Sequence, residues 1–190
     1  SVLFELFNSL SISQVRLNGT PTTFSRNNSA VKVPVNISTG QSFRIAIDYA
    51  GTPPNAVSNP LGGSGMTNAS SPTWGNRVTW SLSESFAAYE WWPCKQSLTD
   101  KADSVSVKIT VPNSCKAGSN GLLENVVDLG NGTSRYEWMH RYPIVYYLVS
   151  VAVAEYVEYN VYANPIGSSG PVLIQNFIYD NPATLSNFQN

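Results

Sequence analysis

Val105-Ser106-Val107-Lys108-Ile109-Thr110-Val111-Pro112 alternates apolar and polar side chains without a break. A period of two puts Val105, Val107, Ile109 and Val111 on one side of an extended chain. Ser106, Lys108 and Thr110 fall on the other, so the stretch predicts a half-buried β-strand. Phe43-Arg44-Ile45-Ala46-Ile47-Asp48-Tyr49 repeats the pattern. Toward the N-terminus, Leu3 to Leu10 and Ser13 to Leu17 read as strands, and Asn18-Gly19 is a hairpin-turn signal. Val31 to Ile37 reads as a further strand. Pro34, which has no N–H to donate, places it at a sheet edge or a bulge. Toward the C-terminus, Tyr142 to Tyr162 is mostly β-branched or aromatic behind Pro143. It predicts two strands, or one long bent strand, buried on both faces near Val149 to Val153. Pro171 to Tyr179 predicts the last strand. Helical signal is confined to Ser81 to Glu90, with Ser83 or Ser85 as cap, and to Thr99 to Ala102. Gly51 to Thr73, rich in Gly, Pro, Asn and Ser, reads as a loop long enough to be a functional excursion. The expected fold is all-β, an antiparallel β-sandwich with an aromatic-rich irregular centre.

Composition narrows the function classes. With 190 residues the chain is read as one domain, able to bury roughly 70% of its unfolded surface without a metal or disulfide staple. Hydrophobic residues make up 42%, but charged residues only 12%, against an average near ~25%. Eleven Lys and Arg oppose twelve Asp and Glu, for a formal net charge of -1. That balance excludes a basic nucleic-acid footprint and an electrostatic membrane binder. The polar surface is left to Ser, Thr, Asn and Gln, a habit of secreted β proteins. No apolar run reaches membrane-spanning length; Ile144 to Ala154 comes nearest. No signal-peptide pattern opens the chain, so the expectation is a mature start or an artificial one. The single histidine, His140, cannot supply a two-histidine zinc site, and no H-E-x-x-H or phosphate-cradling Gly-rich loop occurs. Cys94 and Cys115, with 20 residues between them, could form one disulfide or stay as two buried thiols.

Four of the five tryptophans, Trp74, Trp80, Trp91 and Trp92, fall within 19 residues. Such rings pack a core corner, or else form a recognition surface for sugar or peptide, where flat side chains give area at low entropic cost.

Inside this centre the chain reads Glu84-Ser85-Phe86-Ala87-Ala88-Tyr89-Glu90-Trp91-Trp92-Pro93-Cys94, with Lys101-Ala102 following. This resembles the N-terminal domain of the aminopeptidase N and leukotriene hydrolase family of zinc metallopeptidases. There a Glu or Gln is followed after eight residues by Pro-Cys, then by an acidic-x-Pro segment and a Lys. Other matches come in order: Asp48-Tyr49-Ala50-Gly51 is similar to the family's Tyr-x-Gly, and Val105 to Pro112 to the strand after the Lys. Ser119-Asn120-Gly121 resembles its Ser-Asn-Gly turn, and Trp138, Pro143-Ile144 and Tyr147-Leu148 its Pro-x-x-x-Tyr-Leu strand. The resemblance covers at least Phe43 to Tyr156. Trp91-Trp92-Pro93-Cys94 and Asp100-Lys101-Ala102-Asp103 look most like the bacterial secreted or periplasmic branch. Gln96 and Leu98 depart from the Asp and Pro usual after the Cys, and Leu82 stands where the family has Gln.

The resemblance implies a saddle- or bowl-shaped β-sandwich over residues 1–190 that lacks the first strands of the family domain. It implies a non-catalytic N-terminal domain with the zinc held in an absent catalytic domain, so no cofactor is expected in this chain. The implied partners are that catalytic domain and a peptide substrate. Glu84 would reach into the cleft and bind the substrate's free α-amine, since a carboxylate facing an ammonium in a shielded site makes a charge-assisted hydrogen bond. Without the resemblance, Glu84 is a solvent-facing residue near a helix start. The rival reading is a non-catalytic carbohydrate- or protein-binding module of a secreted protein, working through the Trp-rich centre. A third is a purely structural β domain.

The remaining candidates read as structural. Lys101 is expected to pair with Asp100 or Asp103, His140 is a turn residue, and so is Ser119, which has no His or Asp companion at a nucleophile elbow. N-x-[ST] sequons stand at Asn18, Asn27, Asn36, Asn68 and Asn131; they mark glycosylation acceptors in a eukaryotic secreted protein and arise by composition in a bacterial one.

Overall fold

A computed structural model describes residues 1–54 and 65–189. The chain divides into two compact units, each all-β apart from short helical turns and one C-terminal helix. The first unit comprises Ser1–Thr67, Ser81–Val105 and Arg141–Ser150; the second comprises Asn68–Trp80, Ser106–His140 and Val151–Asn190.

In the first unit, β1 (Val2–Glu5), β2 (Leu10–Leu17), β3 (Thr20–Pro21), β4 (Ser25–Asn27), β5 (Ala30–Val33) and β6 (Ile45–Gly51) form two three-stranded antiparallel sheets. Their orders are β1-β5-β4 and β3-β2-β6. Alternation does the sorting: Phe4, Val31 and Val33 of one sheet and Val15 of the other enter a common core with Leu6 and Leu10, and Ile45, Ile47 and Tyr49 pack against it. Asn18 and Gly19 take φ of 51° and 87°, the positive pair a two-residue hairpin needs, and join β2 to β3 as the sequence predicts. Leu10 pairs with Gly51, where an added Cβ would lie 2.1 Å from Ser9 O. That close approach is why the Tyr-x-Gly motif ends on glycine.

Two predicted strands are shorter than expected. Leu3 to Leu10 breaks after Glu5, because Leu10 N–H turns back onto Phe7 O at 2.9 Å and Arg26 draws the carbonyls of Leu6, Phe7 and Leu10 onto its guanidinium, each at 2.8 Å. Val31 to Ile37 stops at Val33, ahead of Pro34.

In the second unit, β7 (Met66–Ser70), β8 (Arg77–Ser81), β9 (Val105–Pro112), β10 (Lys116–Ser119), β11 (Leu122–Asp128), β12 (Thr133–His140) and β13 (Val151–Ala154) form sheets of order β10-β13-β8-β7 and β11-β12-β9. Along β9, Val107, Ile109 and Val111 turn inward and Ser106, Lys108 and Thr110 outward, as their period requires. Val111, Ala117, Tyr136 and Trp138 make the core, so both sheets contribute to it. The Trp138 indole N–H donates to Ala117 O at 2.9 Å. β14 (Tyr156–Glu158), β15 (Val161–Ala163), β16 (Val172–Ile174) and β17 (Phe177–Tyr179) pair as β14 with β17 and β15 with β16.

The C-terminal expectations change most. Tyr142 to Tyr162 is not one or two long strands but a 3-10 turn at Tyr146–Leu148 followed by β13, β14 and the start of β15. Around Val149 to Val153, Val149 and Val151 are buried, whereas Ala152 and Val153 are half-buried. Pro171 to Tyr179 splits into β16 and β17. Of the helical stretches, only Ala88–Glu90 forms a 3-10 turn, and Thr99 to Ala102 is not helical, Ala102 bridging Ile144 instead. Among the described residues one α-helix forms, α1 (Pro182–Gln189), which was not expected. Asn181 caps it, its Oδ1 accepting from Ala183 N–H at 2.9 Å, and Pro182 is pre-set for the first helical position. Of the loop predicted from Gly51 to Thr73, Met66–Ser70 is strand, and residues 55–64 lie outside the described residues.

Candidate functional site

The motif from Ser83 to Cys94 lies wholly in the first unit. Glu84 sits in a turn that precedes the 3-10 turn Ala88–Glu90, and its peptide bond to Ser85 is cis. Both neighbours are held. Ser83 is buried, and its hydroxyl accepts from the Trp91 indole N–H at 2.9 Å. Ser85 O accepts from the Tyr146 hydroxyl at 2.5 Å. Glu84 itself is half-exposed and bonds to none of the described residues. The result is an unspent carboxylate on a backbone pinned from either side.

The rest of the motif builds the support. Glu90, buried, accepts from Gly65 N–H at 2.7 Å. Tyr49 donates to Trp91 O at 3.0 Å, which ties β6 to the motif. Cys94 bridges Glu5 through two backbone bonds of 2.8 and 3.1 Å, and Phe7 N–H donates to Tyr89 O at 2.8 Å. Ala88, Cys94 and Tyr146 close a small core, with Tyr89, Trp92 and Tyr147 packed on it. Burial pushes the Cys94 thiol up to about 12, helped by the charge of Glu5. Burial also raises the Tyr49 and Tyr146 hydroxyls, with the Cys94 charge next in each case. Burial thus keeps these groups protonated, which suits a support and not a nucleophile.

Cys94 is buried in the first unit and Cys115 half-buried in the second, and both are free thiols. Asp100 is ion-paired with Lys95, not with Lys101 as expected. His140 ends strand β12 and is no turn residue. Gly121 at φ 88° marks the predicted turn after Ser119. Among the sequons, Asn68 donates to Thr79 Oγ1 at 2.9 Å and accepts from Arg77 at 2.8 Å, and Asn131 accepts from Thr133. The tryptophan cluster divides: Trp74 and Trp80 belong to the second unit, Trp91 and Trp92 to the first, where their rings tilt at 6.1 Å. Among the described residues, no three His, Cys, Asp or Glu side chains gather as a metal site.

Sequence reasoning missed two residues that matter. Arg26 holds the chain between β1 and β2 through contacts 16 to 20 residues away, which no local pattern marks. Glu90 is buried against a backbone N–H, with no local pattern to reveal it.

No family model matches the chain, and no curated protein matches it in sequence. Solved structures do match in fold. The M1 zinc metallopeptidase of Deinococcus radiodurans, a mutant bound to Tyr-Ser-Ala substrate, superposes with a TM-score of 0.78 at 23% identity, over 95% of this chain. A two-domain M1 zinc metallopeptidase mutant bound to L-arginine gives 0.79 at 22% over the same share. Aminopeptidase A of Legionella pneumophila, in complex with aspartic acid, gives 0.73 at 13% over 97%. This chain spans 40% of the length of the first two and 20% of the third. At these identities the likeness is one of fold: the chain has an all-β fold found within zinc metallopeptidases.

Proposed function

We propose that this chain is the non-catalytic N-terminal domain of a secreted or periplasmic zinc metalloaminopeptidase. It caps the active-site cleft and presents Glu84 to the free α-amine of the peptide substrate. The observation that carries this reading is the state of Glu84: a carboxylate with no partner among the described residues, on a turn clamped through Ser83 and Ser85. The fold likeness supports it, because near-complete coverage of this chain goes with 40% coverage of the peptidases. The catalytic domain of the parent would hold the zinc and supply the activated water. What this chain adds is a fixed negative charge that holds the amine, and hence the first peptide bond, at one distance from the reacting centre. Pinning matters, since a loose carboxylate would spend binding free energy on ordering itself.

The test is kinetic, in the parent enzyme. Removing one charge-assisted hydrogen bond costs about 1.5–3 kcal/mol. Glu84→Ala is therefore expected to raise KM for aminoacyl substrates roughly tenfold to a hundredfold, with a smaller rise for Glu84→Gln. Unchanged KM in both variants overturns the role of Glu84.

A further inference from the structure

An apolar groove opens in the first unit; Glu84 does not line it, although Tyr146, which holds the Glu84 turn, does. Its volume is about 330 Å³, at the small end of the ~300–1,000 Å³ of ligand sites. Phe4, Ile45, Ile47, Ile144 and Val149 form its apolar wall, and Trp92 lies along it. Phe4, Ile144 and Val149 are buried, while Ile45 and Ile47 are half-buried. Three charged residues also line it, Lys95, Asp100 and Lys101, and all three are exposed, so they stand on its solvent side. Asp100 is spent on Lys95. Lys101 has no carboxylate partner among the described residues, and the lining carries one net positive charge.

An apolar trough with one unspent ammonium at its edge selects a particular ligand shape. A neutral hydrocarbon leaves Lys101 unused, a cationic amphiphile is repelled, and a small polar anion gains nothing from the wall. We propose that the groove binds a medium-chain fatty acid, its hydrocarbon along Phe4, Ile45, Ile47, Ile144 and Val149 and its carboxylate on Lys101. The proposal is independent of the peptidase reading and uses none of its residues as ligands.

The test is calorimetric titration of the 190-residue chain with decanoate below its micelle concentration. Saturable one-to-one binding is expected. Decanol, equally long but uncharged, is expected to bind at least fivefold more weakly, and octanoate about tenfold more weakly for its two missing methylenes. Lys101→Glu changes an exposed side chain and should weaken decanoate at least fivefold with an unchanged melting midpoint. Ala102→Trp, at another exposed lining position, should fill the groove and abolish binding while the fold persists. No saturable heat, equal affinity for decanol, or an indifferent Lys101→Glu variant overturns the proposal. N-acetyl-Leu-Leu-Leu carries the same carboxylate on an apolar peptide; tighter binding of that probe than of decanoate also overturns it.

Discussion

Arg26 donates to the carbonyls of Leu6, Phe7 and Leu10 at 2.8 Å each and to Asn28 O at 3.0 Å. In a chain so poor in charge, one guanidinium satisfies the backbone where two strands part. Arg26→Ala leaves those carbonyls without their donor and is expected to lower stability by about 3 kcal/mol. The melting midpoint should fall by roughly 6–12 °C, and Arg26→Lys should recover only part, since an ammonium lacks the planar fork. Cys94 makes a second prediction at this scale. An unfolded thiol ionises near 9.0, and the folded one near about 12. The native state therefore binds more protons between these values, so stability is full below pH 9 and falls as pH rises toward 12. Tyr49 and Tyr146, raised in the same direction, add to the fall. Urea midpoints at pH 8 and pH 10.5 should differ in the native chain, and differ less in Cys94→Ala. An equal drop in the variant would refute the assignment to Cys94.

At the scale of elements, alternation and turn chemistry were legible and strand ends were not. β9 and the Asn18-Gly19 hairpin follow from period and φ preference alone. The breaks after Glu5, at Tyr146–Leu148 and at Gln175-Asn176 are different. Where they fall is set in the first case by Arg26, 16 to 20 residues away from the carbonyls it binds, and a local pattern cannot show that. Helix α1 was missed although Asn181-Pro182 is a legible cap, because its short face carries little apolar period. The same reasoning separates the site into two parts. Glu84 could be singled out through the spacing of the motif, but the clamps on Ser83 and Ser85 come from Trp91 and Tyr146 and needed the fold. Gly51 tests whether the motif glycine is structural. A Cβ there meets Ser9 O at 2.1 Å, so Gly51→Ala must shift the β2–β6 pairing. It is expected to cost about 1–3 kcal/mol, read as a lowered urea midpoint.

For the whole molecule, the low charge count first suggested a neutral polar surface and nothing more. The structure places that surface on two compact units, each with its own core. The four clustered tryptophans are shared between the units, Trp91 and Trp92 in the first and Trp74 and Trp80 in the second. Between Ser83 and Cys94, Glu84 is a half-exposed carboxylate with no partner among the described residues. In the proposed parent, function is divided: one domain holds metal and water, and this one holds the substrate's end. The most direct measurement is a crystal structure of the parent enzyme with an amino acid bound at its zinc centre. The account predicts a Glu84 carboxylate oxygen within about 2.7–3.2 Å of the ligand's α-amine. A Glu84 side chain turned to solvent, with the amine held by other residues, would contradict it.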